Sequence, residues 1–352
     1  MTNPTLIEAK LKFEYLKEIG QEGKNSKVYI SLDKQLNCEI VVKEIPKANF
    51  TDEIDYFSEA QKLSMSSHPN IVDIKFACQD DTFVYFSMPF YKNGSLKSIL
   101  SKRFLTVREI LRYSIQFLSA LHHIHTKGLV HFDIKPDNIL ISNSNEALLS
   151  DFGLARATNS LGLAEMGLAY DIVRPPDSFI QLEHTKKYDI YQAGLLIYRM
   201  CSGENDFYAQ FNQLVSSDET YEKAIVGGLF PNRKSFFPHI PKKLKKVISK
   251  MLEIKQDDRY VSILDVLNDL SNINEYLDWQ LSYSEIGIIL TKTNQKHEIN
   301  VYIEEKDNIL KIETFRTNIE TQKKSIVNDC TKKDILGTKF DKEIIDILNK
   351  LD

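Results

Sequence analysis

The sequence has few cysteines and places them far apart. Its 352 residues include four, Cys38, Cys78, Cys201 and Cys330, and no C-x-x-C pair. Closely spaced cysteines are common ligands of structural zinc, and a dense set of them marks small secreted domains. The spacing therefore argues against a zinc site and a disulfide framework, and it predicts reduced thiols in a cytoplasmic protein.

Long apolar runs and an excess of charge of one sign are also missing. The longest apolar stretches, such as IGIIL at 286–290, fall far short of the roughly 20 residues that a membrane-spanning helix needs. The formal net charge is only −4, from 45 basic and 49 acidic residues. We therefore expect no membrane span and no nucleic-acid partner. The run KKLKK at 242–246 predicts a solvated helix face, with contact to a polyanion as the alternative.

The pattern of apolar residues changes twice along the chain. KVYISL, CEIVVKEI and FVYFSMPF are β-rich runs, whereas amphipathic helices such as VREILRYSIQFLSALHHIHTKG dominate after NGSL. Towards the end, EINVYIEE and ILKIETF alternate as strands do, and KEIIDILNKL predicts a helix. We therefore expect an α+β protein with two or three strands and one helix in its last part. Its predicted divisions are an N-terminal extension (1–12), a β-rich lobe (13–92), a helical lobe (93–275) and a small α+β C-terminal module (276–352).

The stretch HFDIKPDN at 131–138 carries the densest set of chemically useful side chains, and SDFG follows it at 150–153. Transfer of a phosphoryl group requires a carboxylate that orients the attacking hydroxyl, a cation near the phosphate and oxygen ligands for magnesium. Asp133 and Lys135 fit the first two roles as catalytic residues. Asn138 and Asp151 fit the third as metal ligands.

The order D-x-K-x-x-N followed by DFG resembles the catalytic loop and metal-binding motif of eukaryotic-like serine/threonine protein kinases. The resemblance covers about residues 13–275 and implies a bilobal protein kinase fold, with ATP and Mg²⁺ as cofactors and a protein substrate. In VVK, Lys43 resembles the lysine that holds the α- and β-phosphates. Glu59, in the predicted helix before HPNIV, is its implied ion-pair partner.

The resemblance also implies the remaining contacts of the nucleotide. IGQEGKNSKVY takes the place of the phosphate-binding G-x-G-x-x-G-x-V loop, but its first glycine is displaced by one residue and a serine replaces the third. Met88 falls at the gatekeeper position, where a Met and aromatic run standing alone would more often be core. The implied nucleotide-binding residues are Gly20, Gly23, Ser26, Val28, Lys43, Glu59, Met88, Phe90, Tyr91, Asn138 and Asp151.

Landmarks of the helical lobe fit the same family and are interpreted as architectural. RPPD at 174–177 resembles the APE signature, and Arg259 is the implied partner of Asp177. Asp189 resembles the buried aspartate that anchors the catalytic loop. His131 is implied to be a structural support for that loop, not a group that transfers protons.

Two departures from the family pattern change the expectations. Phe132 replaces the arginine of H-R-D, which normally receives the phosphate of the activation loop. The sequence therefore predicts activity without obligatory activation-loop phosphorylation. Tyr170 stands where serine/threonine kinases usually carry a threonine, whereas Lys135 favours serine or threonine as acceptor.

Two other functions remain as alternatives. A small-molecule phosphotransferase of the antibiotic-kinase type shares the H-x-D-x-x-x-x-N loop, although Lys135, PPD and Arg259 belong to the protein-kinase pattern. A pseudokinase or scaffold would retain the ATP-binding fold without transfer, although the residues of the chemistry are all present. No catalytic motif occurs in 276–352, for which we expect a docking or regulatory role.

Overall fold

The first part of the chain forms an antiparallel sheet with one helix against it. The computed structural model describes residues 11–19, 26–50, 56–166, 171–285, 287–306, 309–336 and 339–352. The elements of this part are β1 (Phe13–Ile19), β2 (Lys27–Asp33), β3 (Cys38–Pro46), α1 (Ser58–Met65), β4 (Phe76–Gln79) and β5 (Phe83–Pro89). The five strands follow the order β1-β2-β3-β5-β4. Ile45, Val84 and Phe86 pack with Ala60 of α1, and this small core fixes the helix against the sheet.

The middle of the chain is mainly helical. Its helices are α2 (Leu96–Leu100), α3 (Val107–Thr126), α4 (Lys187–Ser202), α5 (Glu204–Leu214), α6 (Asp218–Val226), α7 (Lys242–Met251) and α8 (Ile263–Ser271). Its short strands are β6 (Leu129–Val130), β7 (Ile139–Ile141), β8 (Ala147–Leu149), β9 (Arg156–Ala157), β10 (Ala164–Glu165) and β11 (Glu183–His184). Across the described ranges, no helix combines the length and apolar character needed to cross a membrane.

Local sequence explains where the longest helix begins and ends. The Thr106 side chain accepts a hydrogen bond from the Glu109 backbone, and the Glu109 side chain accepts one from the Thr106 backbone. This capping box satisfies amides that the first turn of α3 leaves without partners. Just beyond the other end, Gly128 has a φ of 71°, the left-handed conformation that glycine adopts at least cost. The catalytic-loop stretch therefore begins directly after a well-defined helix end.

Helix α4 lies at the centre of the helical lobe. Every residue from Tyr188 to Ser202 is buried, as expected for a helix that is packed on all sides. Gly194 permits the close approach of α7, because a Cβ at this position would lie 2.7 Å from the Cβ of Met251. The buried polar residues of α4 include Asp189 and Gln192, which hold the catalytic loop as described below.

The last part of the chain is a sheet with one helix on it. Its elements are β12 (Gln280–Ser284), β13 (Gly287–Thr293), β14 (His297–Lys306), β15 (Ile309–Asn318), β16 (Lys324–Ile326), β17 (Lys332–Leu336) and α9 (Phe340–Leu351). Trp279, Val301, Ile312 and Ile347 lie in its core. The bilobal fold with an additional C-terminal module is thus confirmed, but the described residues of the module form six strands where two or three were expected.

The C-terminal module packs directly on the helical lobe. The ring of Phe104, which precedes α3, lies 5.3 Å from Phe237 and 5.4 Å from Tyr283 of the module. Arg108 forms two hydrogen bonds of 2.6 and 2.8 Å with Asp278. The apolar core of the module therefore continues into the helical lobe.

Replacing Phe104 by alanine is expected to lower the free energy of unfolding by about 2–3 kcal/mol, because the ring fills the junction between lobe and module. Arg108→Ala serves as the control and should cost less than about 1 kcal/mol, since its ion pair with Asp278 is exposed. Urea denaturation of the full chain measures both. Equal effects of the two variants would contradict this account of the junction.

Candidate active site

The register of the first sheet brings three of the predicted nucleotide-binding residues onto one face. Val28 of β2 pairs with Lys43 of β3, and Val41 of β3 pairs with Met88 of β5. Residues directly opposite each other share a face, and so do residues two apart in a strand. Val28, Lys43 and Met88 therefore line the same surface, on three neighbouring strands.

Three further predicted nucleotide contacts, Ser26, Phe90 and Tyr91, adjoin the strands of this surface. Ser26 is half-buried and immediately precedes β2, whereas Gly20 and Gly23 lie outside the described residues. Phe90 and Tyr91 directly follow β5 and are half-buried. Burial raises the pKa of Tyr91 to about 12, with a smaller contribution from Asp73. Its hydroxyl is therefore neutral at physiological pH.

Lys43 contacts one carboxylate from each lobe. Its Nζ lies 2.9 and 3.0 Å from the two carboxylate oxygens of Glu59 on α1, and 3.2 Å from Oδ1 of Asp151. Burial alone would lower the pKa of Lys43, but the charges of Asp151 and Glu59 outweigh it and raise the pKa. Lys43 in turn lowers the pKa of Asp151. The lysine is charged, and Asp151 is held as a carboxylate.

Asp133, Lys135 and Asn138 form a second cluster. Lys135 Nζ lies 2.9 Å from Asp133 Oδ2. The amide nitrogen of Asn138 donates to the same Oδ2 at 2.7 Å and to the Asp133 carbonyl at 2.8 Å. Among the described residues, no partner contacts Asp133 Oδ1, which is buried. The arrangement leaves one carboxylate oxygen available for a bound group.

Asp189 of α4 fixes the backbone of the catalytic loop. Its two carboxylate oxygens accept hydrogen bonds of 2.8 Å from the backbone amides of His131 and Phe132. His125, in the last turn of α3, also lies 2.8 Å from this carboxylate through its Nε2. The expected anchoring contact of Asp189 is present.

Gln192, which no sequence motif marks, is a second support of this loop. Its side chain accepts from the Ile134 amide at 3.0 Å and donates to the Phe132 carbonyl at 3.1 Å. Gln192 lies three residues after Asp189 and hence on the same face of α4. The spacing of three residues between Asp189 and Gln192 is the feature of the sequence that indicates this contact.

The two clusters meet where the DFG stretch passes the catalytic loop. The Ser150 amide donates to the Asn138 carbonyl at 2.9 Å, and His131 Nε2 lies 3.2 Å from the Ser150 carbonyl. The rings of His131 and Phe152 are 4.9 Å apart. Asp151 is therefore presented beside the loop that carries Asp133 and Asn138.

Comparison with known proteins agrees with this geometry. A family model described as the protein kinase domain matches residues 13–270. The chain belongs to the protein kinase family. It is 28% identical to a probable serine/threonine-protein kinase of Clostridium acetobutylicum over 284 residues, which cover 78% of this chain and 41% of that protein.

Two further bacterial relatives give the same result. The serine/threonine-protein kinase PrkC of Bacillus subtilis is 28% identical over 265 residues, which cover 74% of this chain and 40% of that protein. A probable serine/threonine-protein kinase PknB of Lactococcus lactis is 26% identical over 267 residues, with 74% and 42% covered. The match thus spans about two fifths of the length of these relatives.

His131 has a structural position in this protein kinase domain. Its side chain is fully buried, and burial lowers its pKa. A neutral imidazole packed edge-on against Phe152 supports the loop and cannot exchange protons readily with solvent. The geometry agrees with the expected supporting role of His131.

Phe132 lies in an apolar cluster where many kinases have an arginine. The side chain is 1% exposed and packs with Val130, Ala164 and Tyr188, the last at a ring distance of 4.9 Å. Its φ is 66°, a strained value for a residue with a large side chain. Ala164 belongs to β10, so this cluster attaches the activation segment to the catalytic loop by apolar contact.

Asp177, which follows the activation segment, forms the expected ion pair with Arg259. Arg259 also donates to the Glu253 carbonyl at 2.8 Å. Burial alone would raise the pKa of Asp177, but His184 and Arg259 outweigh it and lower the pKa. This contact holds the RPPD stretch in place. Tyr170, at the end of the activation segment, lies outside the described residues.

The residues at the site fit a magnesium nucleotide. The Asn138 amide nitrogen is already bonded to Asp133, which leaves its oxygen for a metal. The Asp151 side chain is 43% exposed. Over the described ranges no group of three or more His, Cys, Asp or Glu residues could hold a metal alone. Magnesium commonly binds one or two protein oxygens and completes its shell with phosphates and water.

Proposed function

We propose that the chain is an ATP- and Mg²⁺-dependent protein kinase that transfers the γ-phosphoryl group to serine or threonine hydroxyls of protein substrates. The observation that carries the proposal is the juxtaposition of two clusters: Lys43, Glu59 and Asp151 on one side, and Asp133 with Asn138 on the other. A cytoplasmic location is part of the proposal and is supported by the four separated cysteines.

Each side chain has a proposed part in the transfer. Bound Mg²⁺-ATP would supply the phosphoryl group and neutralise charge on its oxygens. Asp133 accepts a hydrogen bond from the acceptor hydroxyl through Oδ1, the buried oxygen described above. Lys135, 2.9 Å from Asp133, stabilises negative charge on the transferred group. Lys43, held by Glu59, contacts the phosphates.

Magnesium binding is assigned to Asp151 and Asn138. Lys43 keeps Asp151 ionised at physiological pH, and the bond from Asn138 to Asp133 orients the amide oxygen. The hinge beside adenine is assigned to Pro89, Phe90 and Tyr91, with Met88 at the gatekeeper position. Positioning and charge stabilisation supply most of the rate in phosphoryl transfer, so the value of each residue depends on its fixed geometry.

Removal of all phosphate from the enzyme is expected to leave its initial rate within about twofold, because Phe132 offers no charge for a phosphate to bind. Treatment with a phosphatase, followed by intact-mass measurement and initial-rate assay, tests this expectation. The untreated enzyme is the control. An inert dephosphorylated enzyme, restored by a phosphate between residues 155 and 174, would contradict it.

The identity of the residue that accepts the phosphoryl group is tested by phosphoamino-acid analysis after incubation with labelled ATP and a generic protein substrate. The proposal predicts phosphoserine or phosphothreonine, with no label on aminoglycosides or other small hydroxylated molecules. Phosphotyrosine would overturn the assignment of acceptor. Transfer only to small molecules would favour the phosphotransferase alternative.

A further inference from the structure

A short, exposed strand forms the outer edge of the C-terminal sheet. Strand β16 pairs with β15 on one side, with Arg316 opposite Ser325. It ends the order β12-β13-β14-β15-β16, and over the described ranges no strand pairs with its other side. All three residues of β16 are exposed. The backbone of such an edge can pair with an incoming strand.

The ladder determines which backbone groups point outward. Next to the strand, the Val327 amide donates to the Thr314 carbonyl at 2.9 Å. Hydrogen-bonded pairs alternate in an antiparallel ladder, so Ser325 directs its amide and carbonyl towards β15. Lys324 and Ile326 direct theirs away from the sheet. The edge therefore offers a donor and an acceptor at every second residue.

The side chains of Lys324 and Ile326 lie on the face of the sheet opposite α9. The Lys324 ammonium is 4.1 Å from the centroid of the Phe315 ring, which itself lies 5.6 Å from that of Tyr302. Ile326 is opposite Phe315 and remains 58% exposed. The edge is thus apolar at Ile326, and at Lys324 it carries an ammonium group that packs on an aromatic ring.

The surrounding segment is basic although the chain as a whole carries a small net negative charge. Residues 316–333 contain five basic and two acidic residues, in a protein of net charge −4. The basic residues are Arg316, Lys323, Lys324, Lys332 and Lys333. Lysines on edge strands also protect sheets from aggregation. Protection from aggregation alone does not explain why Ile326 on the same strand is largely exposed.

We propose that β16 is a docking strand for an extended acidic segment of the protein substrate, separate from the phosphorylated hydroxyl. The proposal rests on the kinase function proposed above for its choice of partner. The peptide adds antiparallel to β16 and hydrogen-bonds to the outward groups of Lys324 and Ile326. The complementary sequence then reads, from its N-terminus, an apolar residue opposite Ile326, a spacer, and acidic residues opposite Lys324 and Lys323.

Fluorescence anisotropy with the full chain tests the proposal independently of catalysis. The protein carries Asp133→Asn, and the probe is a fluorescein-labelled peptide containing valine, threonine, glutamate and glutamate in that order. Lys324→Glu is expected to weaken binding roughly tenfold, since it converts an attractive cross-strand pair into a repulsive one. Lys342→Glu makes the same charge change on α9 of the same module, and should alter binding less than about twofold.

Two further probes separate strand pairing from simple attraction of charges. Methylation of the peptide amides that face β16 should abolish binding, whereas charge attraction alone would survive it. A peptide with lysines in place of the glutamates should prefer the Lys324→Glu protein. Circular dichroism melting of each variant checks that the module remains folded.

The proposal is overturned if the acidic peptide shows no saturable binding, or if Lys324→Glu and Lys342→Glu weaken it equally. A wild-type dimer in sedimentation equilibrium that Lys324→Glu dissociates would assign the edge to a second copy and also overturn it. Failure of the proposed kinase activity can be distinguished from failure of the docking proposal, because the binding assay involves no phosphate transfer. A chain that binds the peptide but transfers no phosphate would refute only the proposed activity.

Discussion

Replacing Asp133 by asparagine is expected to lower kcat by about 10³-fold, with little change in the affinity for ATP. The amide cannot accept the hydroxyl proton, and it weakens the contacts that Lys135 and Asn138 make with the carboxylate. Steady-state kinetics with a protein substrate, together with a nucleotide-binding titration, measures the two effects separately.

Asp257→Asn provides the matched control for this prediction. Asp257 makes an ion pair with Lys187 on the surface of the helical lobe, and its side chain is 90% exposed. We expect no measurable loss of activity from this variant, because exposed ion pairs contribute little. An Asp133→Asn enzyme that stays within about tenfold of the wild type would refute the assignment of Asp133.

Asp151→Asn should also reduce the transfer rate by about 10³-fold, and it should raise the Mg²⁺ concentration needed for half-maximal activity. The substitution removes a negatively charged metal ligand and one of the two carboxylates that hold Lys43. The measurement is activity as a function of Mg²⁺ concentration at fixed ATP.

Glu59→Gln distinguishes the two consequences of losing Asp151. It weakens the other ion pair of Lys43, whose Nζ lies 2.9 Å from Glu59, but leaves the proposed metal ligands intact. Glu59→Gln is therefore expected to lower the rate without changing the Mg²⁺ dependence. If Asp151→Asn shifted the Mg²⁺ requirement no more than Glu59→Gln, the role of Asp151 as metal ligand would be wrong.

The sequence motifs were sufficient to predict the contacts in which each partner has a recognisable pattern. VVK and DFG mark Lys43 and Asp151, and the structure places these side chains 3.2 Å apart although they lie 108 positions apart in the sequence. The pair of Asp177 and Arg259 was predicted in the same way. Motifs carry such information because phosphoryl transfer restricts both the residue types and their order.

Residues that support the catalytic loop or the activation segment, but belong to no motif, were harder to predict. Gln192 holds the backbone on both sides of Asp133, yet a glutamine in an apolar helix has no distinctive pattern. His184 packs 5.0 Å from Tyr188 and lies near Asp177, a contact that depends on the tertiary path of the activation segment. Sequence spacing alone cannot fix contacts between elements that pack at irregular angles.

The number of strands in the C-terminal module exceeds the number predicted from the sequence for a different reason. The alternating runs that became β14 and β15 were recognised, because one face of each is buried. Strand β16 is exposed throughout and β17 begins with two lysines, so neither has the alternation of a half-buried strand. Their pairing with β15 is determined by tertiary structure and not by local pattern.

The most direct measurement of the central claim is transfer of labelled phosphate from ATP to protein as Mg²⁺ is supplied and then chelated. The account predicts label on serine or threonine that requires Mg²⁺ and that falls to background in Asp133→Asn and Asp151→Asn. Binding of ATP by the wild type without any transfer would contradict it and identify a pseudokinase.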